Sequence, residues 1–265
     1  LSIVSKGAGY SKNQAVIQSD GAFLCFCDAD DVSNKERLFH SYAAILEVKD
    51  PEMTLFGTNF FRDPAKSTFR YADWANSITG NRLYHQIFTS HGPTLVAPTW
   101  FFSRKLYDLV GGFCERYGSG FPEDLEFFYN ALRIGCKLHK VEKTLVLYRY
   151  HPACASLNVS KEMIWKMRLS QFQELVLSNW KSFTIWNAGK QGKHFFNSLT
   201  KENQKKVVAF CDVDAKKIYR GCYEHFDAEL RSVTAVIPII PIWYIIFFFS
   251  LDLHRDVVVL TRYLC

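Results

Sequence analysis

Ala22-Phe23-Leu24-Cys25-Phe26-Cys27-Asp28-Ala29-Asp30-Asp31 is an apolar run that ends in three carboxylates. A continuous apolar run bounded by turn residues predicts a strand buried on both faces, with parallel neighbours. The carboxylates then emerge at the carboxyl end of that strand, where open α/β sheets hold their ligands. Asp28 and Asp30 have the spacing to share one divalent cation. Mg2+ or Mn2+ takes oxygen ligands and keeps waters and substrate phosphates in its shell, so one or two carboxylates suffice. An isolated D-x-D pair commonly marks only a solvated turn. The weight of this one lies in its place after a buried strand.

Downstream, Ser33-Asn34-Lys35-Glu36 reads as a capping box, which predicts a helix with Leu38, Tyr42, Ile45 and Leu46 on one face. Thr54 to Phe61 reads as the next strand, residues 62 to 82 as loop with short helix, and Thr94 to Ser103 as extended. Pro122 suits a first helical position, with Glu123 and Asp124 in the first turn. Leu125, Phe128 and Leu132 face inward, and Gly135 ends the helix. Leu145 to His151 is a further strand, closing in Tyr148-Arg149-Tyr150-His151.

Each polar cluster has a plain structural reading beside the chemical one. Glu123 and Asp124 serve as helix caps or dipole partners, or one of them is a general base for an attacking hydroxyl. A helix start lowers a carboxylate pKa slightly and keeps such a base ionised. Arg149 and His151 are polar tips of an edge strand, or Arg149 neutralises phosphate and His151 contacts a metal or diphosphate.

The order Gly9-x-x-x-Asn13, Asp28 to Asp31, Glu123-Asp124 and Tyr148 to His151 resembles family 2 glycosyltransferases of the GT-A fold over residues 7 to 156. Tyr10 to Val16, Pro98 to Phe101, Pro122 to Leu125 and Phe183 to Gly192 carry a narrower likeness, to N-acetylglucosaminyltransferase-like members of that family. The resemblance implies an inverting displacement on a UDP-sugar, with a glycan or protein hydroxyl as acceptor. It places Gly9, Asn13, Asp28 and Arg149 on the donor, and Asp30 and His151 on Mn2+ or Mg2+. Asp124 becomes the base, with Glu123 its rival. It also implies that the first donor-binding strands lie upstream of Leu1, so these residues alone are expected to lack part of the donor pocket and to be inactive by themselves.

The expected fold is α/β, in three stretches. An incomplete GT-A domain spans 1–156, a helical connector with Ile164, Met167, Gln171 and Leu175 at helical spacing spans 157–181, and a partial Rossmann-like domain with a divergent tail spans 182–265. In the last, strand Phe183 to Trp186, a glycine turn, helix Lys190 to Leu199 and strand Val207 to Cys211 follow in order. Asn187-Ala188-Gly189-Lys190-Gln191-Gly192 is like a dinucleotide fingerprint with Asn in the first place. Gly189 and Gly192 then form a nucleotide-type site with Asp212, which is placed to meet a ribose.

Composition sets outer bounds. Hydrophobic residues make up 48% and charged residues 22%, enough for a sizeable core. A net charge of +6 without an Arg-rich run gives no ground for a nucleic-acid partner. Eight cysteines without a C-x-x-C pair favour reduced thiols and a cytoplasmic location. Ala235 to Leu251 carries no charge and is at the short limit of a membrane span, but Pro238 and Pro241 interrupt it. Two buried strands, Val236 to Ile240 and Trp243 to Phe249, are the favoured reading. Two other functions compete with sugar transfer: a catalytically silent nucleotide-sugar-binding scaffold, and an NAD-dependent oxidoreductase supported only by the Asn187 to Gly192 turn.

Overall fold

The computed structural model describes residues 6–63, 65–90, 92–118, 120–244 and 259–260. The chain divides into two compact units, Leu1–Met167 and Arg168–Cys265. The division falls inside a helix, α7 (Lys161–Leu175).

The first unit is built around a five-stranded mixed sheet. Its strands are β1 (Phe23–Cys25), β2 (Val32–Ser33), β3 (Thr54–Asp63), β4 (Phe101–Ser103) and β5 (Lys137–Arg149), in the order β1-β4-β3-β5-β2. Only β3 and β5 pair in parallel. The helices are α1 (Gly7–Ile17), α2 (Arg37–Ala43), α3 (Ala65–Ser77), α4 (Arg82–His85), α5 (Arg104–Val110) and α6 (Glu123–Arg133). Trp100, Phe102, Phe113, Phe127 and Phe128 form the centre of the core, and the Phe113 and Phe127 rings stack at 4.6 Å. α6 supplies its part through Leu125, Phe127, Phe128 and Tyr129, which leaves its first-turn carboxylates at the rim.

Four local expectations need correction. The apolar run forms only three residues of strand, and its neighbour β4 is antiparallel. Phe26 leaves the regular ladder and donates its amide to the Trp100 carbonyl at 3.2 Å. The capping box does not form. Ser33 pairs with Val146 of β5, so it is unavailable as a cap, and α2 starts four residues later without a side-chain cap. That start turns Arg37, Ser41 and Ala44 inward and leaves Leu38, Tyr42 and Leu46 exposed. Residues 65–77 form a helix of 13 residues, longer than the short helix expected there, clamped to β3 by Asn76, whose amide bonds both main-chain groups of Phe60.

β5 begins at Lys137, eight residues before the expected start. Its early residues are polar and hide the strand from a hydrophobicity reading. One of them, Lys140, donates to the carbonyls of Ala75, Asn76 and Ile78 at the end of α3. Burial lowers its pKa to about 8.

The second unit contains β6 (Phe183–Trp186), α8 (Lys190–Ser198), α9 (Lys201–Gln204), β7 (Val207–Asp212), α10 (Ala215–Arg220), β8 (Cys222–Asp227), β9 (Ser232–Pro241) and β10 (Val259–Leu260). The sheet order is β10-β6-β7-β9-β8, parallel throughout except for β8 against β9. The strand, helix, strand order read from the sequence is thus a parallel crossover, and the protein is α/β in both units. The expected strand at Val236 to Ile240 lies within β9. Trp243 and Tyr244 are helical instead, and the rest of the run to Leu251 lies outside the described residues. No helix among the described residues is long and apolar enough to cross a membrane.

Candidate active site

The acidic turn is fixed from below by a buried arginine. The Arg37 guanidinium donates to the carbonyls of Phe26 at 2.6 Å and Pro98 at 2.8 Å, and to Ser33 Oγ at 2.8 Å. Its side chain is almost wholly inaccessible and its Nε has no partner. One cation thereby ties the end of β1 to the segment before β4. Burial raises the Asp28 carboxyl above its ordinary value, against the pull of the Lys12 and Arg37 charges.

The carboxylates of Asp28, Asp30 and Asp31 have oxygens within 4.8 Å of one another. Asp31 Oδ1 accepts from the Arg149 amide at 2.8 Å, while its Oδ2 is buried without a partner. Arg149 thus meets the turn through its main chain, and its side chain is exposed. Burial, reinforced by the charges of Asp28 and Asp30, pushes the Asp31 carboxyl up to about 6. Asp30 Oδ2 lies 2.8 Å from His151 Nε2. His151 Nδ1 accepts from the Ala153 amide at 3.2 Å, which orients the ring toward Asp30.

This donor set fits a hard divalent cation. Three carboxylates converge, and one buried oxygen among them has no protein partner to satisfy it. Asp31 was not singled out by the D-x-D spacing. Cys154 was not singled out either, although its thiol groups with Asp30 and His151.

Lys12 links this turn to α6. Its ammonium pairs with Glu123 Oε1 at 2.7 Å. Burial works against its charge, but Glu123, Asp28 and Asp124 outweigh this and raise its pKa. The same cation therefore lies within electrostatic reach of both carboxylate groups. Sequence spacing gave no sign of it, because a lysine on an N-terminal helix is ordinarily a solvated surface residue.

Asp124 is half-buried, and its Oδ1 accepts from the Leu125 amide at 2.7 Å. Burial and the neighbouring Glu123 charge push its pKa up to about 6, against the pull of Lys12. The slight lowering expected from the helix start is overturned, because desolvation exceeds the dipole effect here.

Gly9 and Asn13, expected on the donor, are occupied by the protein itself. A Cβ on Gly9 would run into the Cys114 carbonyl oxygen, so the glycine allows α1 to approach that segment. The Asn13 amide nitrogen donates to Phe113 O and Glu115 Oε1, and its oxygen accepts from Tyr107 and the Phe113 amide. Both residues hold α1, and with it Lys12, in position.

In the second unit the glycine turn is self-contained. Asn187 adopts φ 98°, the left-handed conformation in which glycine or asparagine is favoured. Its Oδ1 accepts from the Gly189 amide at 2.6 Å. A Cβ on Gly192 would collide with the Asn187 carbonyl. Asp212, expected to meet a ribose, is buried and fully engaged. It accepts from the Ala188 amide, Lys217 Nζ and the amides of Val213 and Asp214. Burial acts to raise its pKa, but the Lys217 and amide hydrogen bonds hold it below the usual carboxylate value. Its carboxylate locks the turn and leaves no free oxygen for a sugar.

The raised acids of the first unit have a consequence for stability. Unfolded, Asp31 and Asp124 ionise near 3.8; folded, they hold their protons to about 6. Stability should therefore fall as pH rises from about 4 to about 6. Urea midpoints measured across this window should decline, and Asp31→Asn should flatten the decline. An unchanged slope in that variant would rule out Asp31 as a source.

No family model matches the chain. Two solved structures of S. aureus TarS, residues 1–349, are similar to it at low identity. The complex with UDP-GlcNAc is 16% identical with a TM-score of 0.45, over 75% of this chain and 52% of that one. The complex with UDP is 18% identical with a TM-score of 0.42, over 75% and 51%. The chain thus spans about half the length of these structures.

Proposed function

We propose that the chain is the catalytic part of a UDP-sugar-dependent glycosyltransferase of family 2 with GT-A architecture. The observation that supports this reading best is that Lys12, paired with Glu123, lies within electrostatic reach of Asp124 on one side and of Asp28, in the acidic turn, on the other. A transferase of this kind needs one acidic group for the donor's metal and phosphates and another to receive the acceptor's proton. The proposed donor sugar is N-acetylglucosamine and the proposed acceptor a glycan or protein hydroxyl. This follows the narrower sequence likeness, to animal UDP-GlcNAc:β-Gal β-1,3-N-acetylglucosaminyltransferase-like proteins.

Asp30 would hold Mg2+ or Mn2+, with Asp28 and Asp31 completing one candidate ligand set and His151 and Cys154 another. The cation, when bound, neutralises charge on the departing nucleoside diphosphate. Asp28 faces the donor, and the exposed Arg149 side chain stands ready for its phosphates. Glu123 is committed to Lys12, which weakens it as a base and suits it to positioning. Asp124 keeps one oxygen free of protein hydrogen bonds and takes the acceptor's proton. The displacement inverts the anomeric centre and needs no covalent intermediate.

Calorimetry of UDP binding tests the metal assignment. Mn2+ should strengthen UDP binding to the wild-type protein about tenfold or more, and Asp30→Asn should abolish that gain. A variant with the wild-type metal dependence would exclude Asp30 as a ligand.

A further inference from the structure

Arg62 lies near the end of β3, on the side of the sheet where β5 runs toward the acidic turn. Its register partner on β5 is Tyr148, and the next pair is Asp63 with Arg149. The Tyr150 amide donates to the Asp63 carbonyl at 2.7 Å. His151, the following residue, reaches Asp30. Burial raises the pKa of both the Tyr71 and Tyr148 hydroxyls, and the nearby Arg62 charge opposes it.

The guanidinium is enclosed by aromatic rings. Its Cζ lies 4.2 Å from the Tyr150 ring centre, 4.9 Å from Tyr148 and 5.0 Å from Tyr71. Ring faces attract the cation and restrict its rotamers, but they leave the in-plane N–H groups unsatisfied. Nε is buried without a hydrogen-bond partner. Among the described residues Arg62 has no ion pair to a carboxylate. Arg37 shares an unpartnered Nε, but its terminal nitrogens donate to Ser33, Phe26 and Pro98, and those of Arg104 to Val16 and Ser19, whereas those of Arg62 donate to none of the described residues.

A guanidinium held by its faces and open along its edge matches a planar or tetrahedral oxyanion, which it can bind bidentately. The acidic cluster supplies a reason for such a group. Asp28, Asp30, Asp31, Glu123 and Asp124 repel any anionic substrate that enters beside them. A cation on the strand pair that leads to the acidic turn, Arg62 of β3 opposite Tyr148 of β5, can offset that repulsion.

We propose that Arg62 is an oxyanion-binding residue, with the Tyr71, Tyr148 and Tyr150 rings as its fixed frame, and that it takes a phosphate or carboxylate group of the substrate. The group has two sources, the donor's diphosphate or an acidic acceptor. That choice rests on the transferase reading; the anion site itself does not.

The test is a set of titrations on the full chain, comparing wild type with Arg62→Gln and Arg62→Lys. Inorganic phosphate is the basic probe, UDP reports the donor, and a glucuronate-terminated disaccharide reports an acidic acceptor. Arg62→Gln should weaken phosphate binding about tenfold or more, and Arg62→Lys should restore little, since an ammonium lacks the fork. A parallel loss for UDP assigns the anion to the donor, and a loss confined to the glucuronide assigns it to the acceptor. If both folded variants bind all three probes like wild type, Arg62 is only a structural cation and the proposal fails. Should the variants not fold, phenylglyoxal modification of the wild-type protein decides: phosphate should protect Arg62, as mapped by mass spectrometry, and equal modification with and without phosphate overturns the proposal. The phosphate arm uses no sugar nucleotide. A full-length protein that binds phosphate through Arg62 but no UDP would refute the transferase reading and leave the anion site standing.

Discussion

In the full-length enzyme, replacing Asp124 by Asn should lower kcat by about 100- to 10,000-fold, the range a general base contributes, or about 3 to 5 kcal/mol of barrier. The expectation comes from three features of the site. Asp124 keeps a carboxylate oxygen outside the protein's own hydrogen bonds. Its pKa near 6 leaves it mostly ionised at neutral pH, yet basic enough to accept a proton as the acceptor attacks. Its neighbour Glu123 is tied to Lys12 at 2.7 Å and is the poorer base. Asparagine keeps the shape and can still accept from the Leu125 amide, so folding should survive. It also removes an acid whose ionisation burial disfavours, so stability at neutral pH should not fall. Single-turnover sugar transfer beside a donor titration separates the roles. UDP-sugar affinity should stay within a few-fold of wild type, and Glu123→Gln should cost less rate than Asp124→Asn. Normal transfer by Asp124→Asn, or joint loss of binding and chemistry, would remove Asp124 from the role of base.

Gly192→Ala should destabilise the second unit by more than about 3 kcal/mol, a size reserved for clear steric or burial faults. The added Cβ meets the Asn187 carbonyl, a backbone atom that no rotamer change can move aside. Asn187 cannot yield easily. Its amide donates to the Cys211 carbonyl at 2.8 Å, its side chain holds Gly189, and the next amide is held by Asp212. The lever is therefore the strand-to-helix turn as a whole. Urea unfolding followed by hydrogen exchange should show early loss of protection in β6 and β7. Protection in those strands equal to wild type would mean that the turn tolerates the methyl and that its close approach is not a structural requirement.

The parts of the fold legible in the sequence are those where hydrophobicity and turn chemistry agree. Phe183 to Trp186 is buried on both faces and appears as β6 with the expected bounds. Pro122 and Gly135 bracket α6, where Leu125 and Phe128 face inward as helical spacing predicts, while Leu132 is only partly buried and Phe127, Tyr129 and Ala131 are buried beyond that reading. The misread parts are those where long-range pairing overrides a local signal. Ser33 looks like a helix cap until β5 claims it as a strand partner. The polar start of β5 is invisible to an apolar template because Lys140 has its charge satisfied by carbonyls far away in sequence. At the site, Asp28, Asp30 and Asp124 were suggested by spacing after a strand or at a helix start. Lys12 and Arg37 were not, since a buried cation is recognised by what surrounds it and not by a motif. Gly9, Asn13 and Asp212 have structural roles that spacing did not show. Each stands where a ligand contact was expected, yet close approach or hydrogen bonding to the protein already accounts for it.

Proton NMR of the anomeric signals gives the most direct test of the central claim. The full-length enzyme would be incubated with UDP-GlcNAc and Mg2+, and the released or transferred sugar followed from the first turnover across a series of pH values. An inverting displacement assisted by Asp124 should yield the β-anomer first, with a rate that falls about tenfold per unit below pH 6 as the base is protonated. The α-anomer appearing first, or a rate indifferent to pH across that range, would contradict it.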